Sequence, residues 1–229
     1  MKKIKNYFSK FEIFLWITSV TLITFSFMIF DRSGYFTLLA SILGVTAILL
    51  NAKGNPIGQG LMVIFSIIYG IISYGFAYYG EMITYIGMSM PMAVIALIAW
   101  LKNPFEKGKA EVKVNRITKK ETLFMIILSL LVTLVFYFIL KTFNTANLIP
   151  STFSVTTSFA AVYLTFRRSP YFSLLYAFND IVLIVLWGLA SFHSLSYISV
   201  LVCFLMFLLN DLYAFISWRK MEIRQRLVD

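Results

Sequence analysis

Eight stretches, each of about 20 predominantly apolar residues, restrict the fold of this chain more than any other feature. A helix rises about 1.5 Å per residue and bilayer hydrocarbon is about 30 Å thick, so each stretch can cross a membrane. Within each stretch the residues are continuously apolar. Strands of a membrane barrel would instead alternate apolar and polar residues, so the pattern predicts helices. They cover approximately residues 12–30, 35–51, 60–79, 82–101, 121–142, 150–167, 171–190 and 195–217. We therefore predict an all-α polytopic membrane protein with eight transmembrane helices.

The composition excludes a water-soluble domain and most kinds of enzyme. Hydrophobic residues make up 60% of the 229 residues and charged residues 13%, against about 45–50% and about 25% in soluble domains. A single cysteine, Cys203, and a single histidine, His193, leave no ligand set for a Cys/His metal site and no internal disulfide. Common protease, hydrolase and P-loop motifs are missing from the sequence. We expect no enzyme, no cofactor and no bound metal.

The positions of the basic residues predict the orientation in the membrane. If the N-terminus is cytoplasmic, 18 of the 20 Lys and Arg residues lie on the cytoplasmic side, and only Arg32 and Lys141 lie opposite. The positive-inside rule then places both termini in the cytoplasm of a multi-pass protein of the cell membrane. The net charge of +10 thus mainly reflects the basic residues that orient the helices in the membrane. It suits contact with anionic lipid headgroups, and no aromatic and basic motif supports binding to nucleic acid.

An internal repeat relates two parts of the chain. Residues 61–102, laid without gaps over residues 179–220, match at eight of 42 positions, including Trp100 over Trp218. Two triplets of spans joined by one span have the same orientation, so an axis along the membrane normal would relate them. We predict a seven-helix core of 3+1+3 parallel repeats plus one extra N-terminal helix. The corresponding segments are 1–34 (basic segment and extra helix), 35–101 (first repeat), 102–149 (basic loop and connecting helix), 150–218 (second repeat) and 219–229 (cytoplasmic tail).

Polar residues inside the spans are the candidates for a binding site. Asn179-Asp180 lies at the middle of the seventh span and Asn210-Asp211 lies in the eighth, where an Asp costs about 2.5–3.5 kcal/mol. Helical spacing places Phe172, Tyr176 and Trp187 on the same face as Asn179. This face could stack against a flat ring and hydrogen-bond to it. The alternative is that the polar groups only join helices to one another. The predicted substrate-binding residues are Phe172, Tyr176, Asn179, Asp180, Trp187, Asn210 and Asp211.

Other residues are expected to have structural roles. Pro91 should bend the fourth span, because it removes a backbone donor from the middle of a helix. Trp100 and Trp218 are expected in the aromatic belt at the membrane surface. Glu81 is expected to be a solvated residue of an outer turn.

Several of these segments resemble the PnuC family of nicotinamide riboside transporters over approximately residues 35–220. The resemblance is carried by Phe178-Asn179-Asp180 through Trp187, the turn 191–197, the ending Leu209 to Trp218, and the segment from Met90-Pro91-Met92 to Pro104. It implies a core with the topology of the SWEET sugar transporters. It also implies facilitated diffusion of a neutral or weakly charged nucleoside, which a cytoplasmic kinase then traps by phosphorylation.

The resemblance also assigns residues. The Asn of the family's penultimate helix corresponds to Asn179, and the Asn of its last helix to Asn210. Some members carry Trp seven and four residues before the first Asn, where this chain has Phe172 and Leu175.

The sequence thus predicts a small-molecule uniporter in the lipid bilayer, with its site between the two triplets. Uptake of thiamine or riboflavin stays open, as does proton or sodium coupling through Asp180 or Asp211. A non-transporting membrane receptor is the alternative of another class. The apolar faces, rich in Phe and Met, are compatible with a homo-oligomer.

Overall fold

The computed structural model describes residues 7–75, 79–145 and 147–228, and within them eight helices are long and apolar enough to cross a membrane. The predicted all-α fold with eight transmembrane helices is confirmed. Lys2, Lys3 and Lys5, which contributed to the predicted orientation, lie outside the described residues. The helices are α1 (Lys10–Phe30), α2 (Tyr35–Ala52), α3 (Pro56–Gly75), α4 (Tyr79–Leu101), α5 (Lys119–Thr142), α6 (Leu148–Phe166), α7 (Phe172–Ser191) and α8 (Tyr197–Arg226).

Helix α4 changes its winding in the middle. An α-helical turn, Tyr79–Ile83, is followed by a π-helical segment, Thr84–Ser89, and by an α-helix from Met90 to Leu101. Pro91 follows the π segment directly and, lacking an N–H, cannot continue the ladder of hydrogen bonds. A widened turn, a feature that often accompanies functional sites, thus directly precedes the segment in which Pro91 was expected to bend the helix.

Six of the helices form a closed ring. In the first bundle α3 packs against α2 and α4, and in the second bundle α7 packs against α6 and α8. Two interfaces join the bundles, α8 with α2 and α4 with α6. Outside the ring, α1 packs against α2 and α8, and α5 packs against α6 and the first turn of α4. The additional helix and the connecting helix thus occupy corresponding positions beside the two interfaces.

The same contacts recur where the two outer helices begin. Ser9 and Thr118 cap α1 and α5, and each hydroxyl accepts a bond from the backbone N–H of a glutamate three residues later, at 3.1 Å and 3.2 Å. Each glutamate then pairs with a basic residue at the end of the next helix. The pairs are Glu12 with Lys53 and Glu121 with Arg167. We call this end of the bundle the basic end.

Two tryptophans close the ring at the basic end. Trp218 of α8 donates its indole N–H to the carbonyl oxygen of Asn51 in α2 at 2.7 Å. Trp100 of α4 donates in the same way to Thr165 in α6 at 2.8 Å. Both side chains are 0% exposed, and their rings lie 5.3 Å apart. The expectation that these tryptophans form an interfacial belt is wrong, because each one pins one bundle to the other.

Candidate substrate cavity

Three cavities follow one another through the ring. A central cavity of about 70 Å³ lies between the bundles. It shares Tyr85, Ser89 and Leu183 with a smaller cavity of about 30 Å³. That cavity in turn shares Glu81 and Trp187 with a vestibule of about 310 Å³ at the end opposite the basic end. The middle cavity thus shares lining residues with both the central cavity and the vestibule.

Phe172 closes the central cavity at the basic end. Its side chain is 1% exposed and lines the cavity. Its ring contacts those of Trp100 and Trp218, with centroids 6.1 Å and 4.9 Å away. The structure therefore has its basic end closed below the central cavity.

Asn179 is held in a defined orientation by the neighbouring helix. Its Oδ1 accepts hydrogen bonds from Ser154 at 3.1 Å, Thr157 at 2.8 Å and Ser158 at 3.1 Å, all on α6. Three donors converge on the oxygen, so the amide nitrogen is the group of this side chain that is left to donate. Asn179 lines the central cavity, so this nitrogen can donate to a bound molecule.

Asp180 and Asp211 form a buried pair in the wall of the same cavity. The two side chains belong to α7 and α8 and are 3% and 4% exposed. Their carboxyl groups lie within hydrogen-bonding distance of each other. Within the described part of the chain, Oδ2 of Asp180 has no hydrogen-bond partner. The pair thus places in the cavity wall a buried carboxyl oxygen that has no hydrogen-bond partner among the described residues.

Aromatic side chains make up much of the remaining wall. Tyr176 lies one turn before Asp180 on α7, and Tyr85 comes from the π segment of α4. Phe65, Phe204 and Phe207 complete the aromatic surface. Flat faces on both bundles can therefore enclose an aromatic ring.

Two of the predicted site residues lie elsewhere. Asn210 is 1% exposed and donates to Ser19 of α1 at 2.9 Å and to the carbonyl of Met206 at 2.8 Å. It points away from the cavity because adjacent residues of a helix lie about 100° apart, and Asp211 occupies the inward position. Trp187 lines the middle cavity and the vestibule and is not part of the central cavity. Phe172, Tyr176, Asn179, Asp180 and Asp211 do converge there.

The sequence did not single out the polar side chains of α6 that contact Asn179. The hydroxyls of Ser154, Thr157 and Ser158 were not identified, although this span has the lowest hydropathy of the eight, 1.2. Gln59 donates to Asn51 at 2.9 Å, and both line the central cavity. Within the described residues, no group of three His, Cys, Asp or Glu side chains could hold a metal ion.

The expectation for Glu81 is wrong. The residue was expected in a solvated turn, but it begins α4 and lines both the middle cavity and the vestibule. Its Oε2 is buried and, among the described residues, has no hydrogen-bond partner. The inner end of the vestibule is therefore acidic.

Comparison with known proteins shows that this architecture and much of the sequence are shared with transporters. A solved structure described as the crystal structure of the vitamin B3 transporter PnuC matches with a TM-score of 0.82, covering 95% of this chain and 94% of that chain at 22% identity, and so shares its fold. A curated relative from Neisseria mucosa, named nicotinamide riboside transporter PnuC, is 25% identical over 201 residues, 86% of this chain and 76% of the relative. A family model described as nicotinamide mononucleotide transporter matches residues 34–220, from the start of α2 into α8. The match leaves only α1 and the two ends outside, and the chain belongs to this transporter family.

Proposed function

We propose that the chain is a uniporter that takes up nicotinamide riboside across the cell membrane, with the basic end in the cytoplasm. The name of the Neisseria mucosa relative and the family membership support the substrate. The orientation is supported by the side on which 18 of the 20 Lys and Arg residues fall. Phosphorylation of the riboside by a cytoplasmic kinase would keep it inside the cell.

The observation that carries this proposal is the Asn179 amide in a cavity with aromatic walls. Its Nδ2 would donate to the carboxamide oxygen or a ribose hydroxyl, because its Oδ1 is already occupied by three hydroxyls. Tyr176 and Tyr85 would contact the two faces of the ring from opposite bundles. Asp180, Asp211 and Phe172 complete the proposed site, and Trp187 would contact the substrate on its way in from the vestibule.

The lining favours a nucleoside over a nucleotide. No Lys, Arg or His among the described residues lines the central cavity, the middle cavity or the vestibule. A phosphate group entering this route would lose its hydration without gaining the cationic donors that proteins use to bind phosphate. We therefore expect the riboside to be carried and the mononucleotide to be rejected.

Transport requires the cavity to widen and then to open at the basic end. A cavity of about 150 Å³ can hold benzene, whereas the central cavity has about 70 Å³. Rocking of α2, α3 and α4 against α6, α7 and α8 would widen it, because the backbones of the two bundles, where the structure describes them, approach each other along two interfaces. The structure then corresponds to a contracted state with the basic end closed.

Uptake into proteoliposomes tests the proposal. Labelled nicotinamide riboside should accumulate, and unlabelled riboside should compete while the mononucleotide should not. Asn179→Ala should lower the affinity about tenfold or more, since it removes a buried hydrogen bond to the ligand. Asn103→Ala, at the end of α4 and away from the three cavities, is the matched control. Unchanged affinity in Asn179→Ala would return this residue to a structural role.

The same preparation separates the alternatives. Competition by thiamine or riboflavin in place of the riboside would change the substrate. Collapse of uptake on dissipating a proton or sodium gradient would replace the uniporter with a coupled transporter. Tight binding without flux would indicate a receptor. Copies of the chain could associate through the exposed apolar face of α5, and light scattering of the purified protein would report a homo-oligomer.

A further inference from the structure

The nine acidic residues in the described part of the chain fall into two groups. Five of them pair with Lys or Arg near the basic end, namely Glu12, Glu106, Glu111, Glu121 and Glu222. Four others, Asp31, Glu81, Asp180 and Asp211, line the cavities. Acidic side chains thus follow the route from the vestibule to the central cavity, and no basic residue of the described chain lines it.

The groups that face Asp180 and Asp211 offer no compensating positive charge. From α7 and α8 come Tyr176 and Cys203, and from α4 come Tyr85 and, further out, Glu81. The other lining side chains from α2, α3 and α6 are neutral: Ile48, Asn51, Gln59, Met62, Phe65, Ser66, Ser158, Val162 and Thr165. The carboxyl pair is therefore surrounded by uncharged or acidic groups on every side.

Two carboxyl groups this close share protons. Two full negative charges within hydrogen-bonding distance repel strongly in a buried site, whereas one proton between them makes a hydrogen bond. With one proton held between them, the pair would carry a single negative charge. That charge is costly in a cavity without a cation, and a cationic ligand would offset the cost.

The aromatic wall suits the same kind of ligand. The faces of Tyr85, Tyr176 and Phe204 carry negative partial charge, and cations bind over such faces. In nicotinamide riboside the ring nitrogen is bonded to the ribose carbon, so the ring is a positively charged pyridinium. A neutral or weakly charged substrate, as expected from the sequence, would give the two aspartates no opposite charge. A pyridinium ring would supply it.

We propose that Asp180 and Asp211, holding one proton between them, form the counter-charge of a cationic heteroaromatic ring in the central cavity. This inference rests on the proposed function and adds that charge, together with ring shape, selects the substrate. The site would accept N-substituted pyridinium or thiazolium rings, as in nicotinamide riboside or thiamine. It would discriminate against neutral ring systems such as that of riboflavin.

A pair of ligands that differ mainly in charge tests the inference on the full-length protein. Nicotinamide riboside and its 1,4-dihydro form share the ribose and the carboxamide, but the reduced ring is neutral. By titration calorimetry in nanodiscs, we expect the cationic form to bind about tenfold or more tightly than the reduced form. The double variant Asp180→Asn/Asp211→Asn leaves no carboxylate in the wall and should reduce this preference to within about threefold, chiefly by weakening the cationic form, whereas either single variant keeps one carboxylate and should keep most of the preference. Glu106→Gln, which removes one negative charge from an exposed loop residue, should keep the full preference.

The outcomes separate the inference from the proposed function. Equal affinity of the unmodified protein for both forms would overturn the counter-charge and leave nicotinamide riboside as the substrate. Binding of neither form would overturn the proposed function itself. Because this comparison uses the unmodified protein, it holds even if an aspartate variant fails to fold.

The shared proton has its own signature. As the pH falls, a second proton neutralises the pair, so the affinity for the pyridinium should fall while that for the reduced form stays constant. A preference for the cation that is the same at every pH would overturn the role of the carboxyl pair.

Discussion

The two tryptophans at the basic end are predicted to set how often that end opens. Trp218→Phe keeps an aromatic ring but removes the N–H that bonds the carbonyl of Asn51 at 2.7 Å. The carbonyl retains a second bond from the N–H of Gly54 at 2.9 Å, so the lost hydrogen bond costs only about 1 kcal/mol. The smaller ring leaves unfilled space beside Trp100 and Phe172, which adds roughly 1 kcal/mol.

This cost of about 2 kcal/mol falls mainly on the closed state. The two indole bonds cross the two interfaces between the bundles, α8 with α2 and α4 with α6, so opening at the basic end must break them. Loss of about 2 kcal/mol shifts the ratio of open to closed molecules roughly thirtyfold. Trp100→Phe should have a similar effect, because its contact is the equivalent one. The double variant should give less than the sum, since the two rings touch.

A cysteine in the central cavity reports the opening. Ala96 lines that cavity and is 1% exposed, so Ala96→Cys in a Cys203→Ala background places one thiol there. A membrane-impermeant thiol reagent added from the basic side should modify it faster in Trp218→Phe, by up to about thirtyfold.

Trp16→Phe is the matched control for this experiment. Its indole also donates a hydrogen bond, to Thr46 at 3.0 Å, but it joins α1 to α2 outside the ring. The reaction rate should therefore be unchanged. Equal rates in Trp218→Phe, Trp100→Phe and the parent, or the same acceleration in Trp16→Phe, would refute the closing role of the pair.

Two further predictions concern stability and are read from thermal unfolding in detergent. Gly44→Ala should destabilise the protein by about 1–3 kcal/mol, because a Cβ there would overlap the ring of Phe207. Gly60→Ala, with no atom within 4 Å of the added carbon, should be neutral or stabilise by up to about 1 kcal/mol; equal losses would contradict the packing argument. Glu12→Gln should cost about 1–2 kcal/mol and Glu121→Gln less, because the Glu12 side chain is 4% exposed and that of Glu121 is 18% exposed; the reverse order would contradict it.

The membrane helices could be predicted because each must be a long apolar run. Seven of them end near their predicted positions, but α8 continues from the expected end at residue 217 to Arg226. Its last turns are stabilised by side chains that the apolar pattern cannot reveal. Glu222 pairs at 2.6 Å with Arg116 of the loop between α4 and α5, and Gln225 donates to the carbonyl of Val112 in the same loop at 3.0 Å. The chain belongs to a family of transporters, which confirms the expectation that it is not an enzyme.

The candidate site could be predicted along one helix but not between helices. Spacing on α7 put Phe172, Tyr176, Asn179 and Trp187 in one stripe, and the first three line the central cavity, because residues on one face of a helix stay together whatever it packs against. Trp187 lies further along the helix, beside the middle cavity and the vestibule. On α8 the sequence could not decide between Asn210 and Asp211, since the choice depends on which neighbour covers which face. The hydroxyls of α6 were missed for a related reason. Ser and Thr in membrane helices commonly bond their own backbone, as Thr157 also does with Phe153 at 3.1 Å.

The two halves of the chain are alike in the contacts that join helices at the basic end and unlike in the polar residues of the central cavity. Each half has a tryptophan that bonds the other bundle and a glutamate paired with a basic residue, whereas Asn179, Asp180 and Asp211 correspond to Leu61, Met62 and Ala93 in the first. Opening a ring at one end requires both of its interfaces to separate, so contacts that resist opening are needed twice. A single ligand needs only one set of polar partners. Substitutions in the matched contacts should therefore change the rate of transport, and those in the second half alone should change affinity.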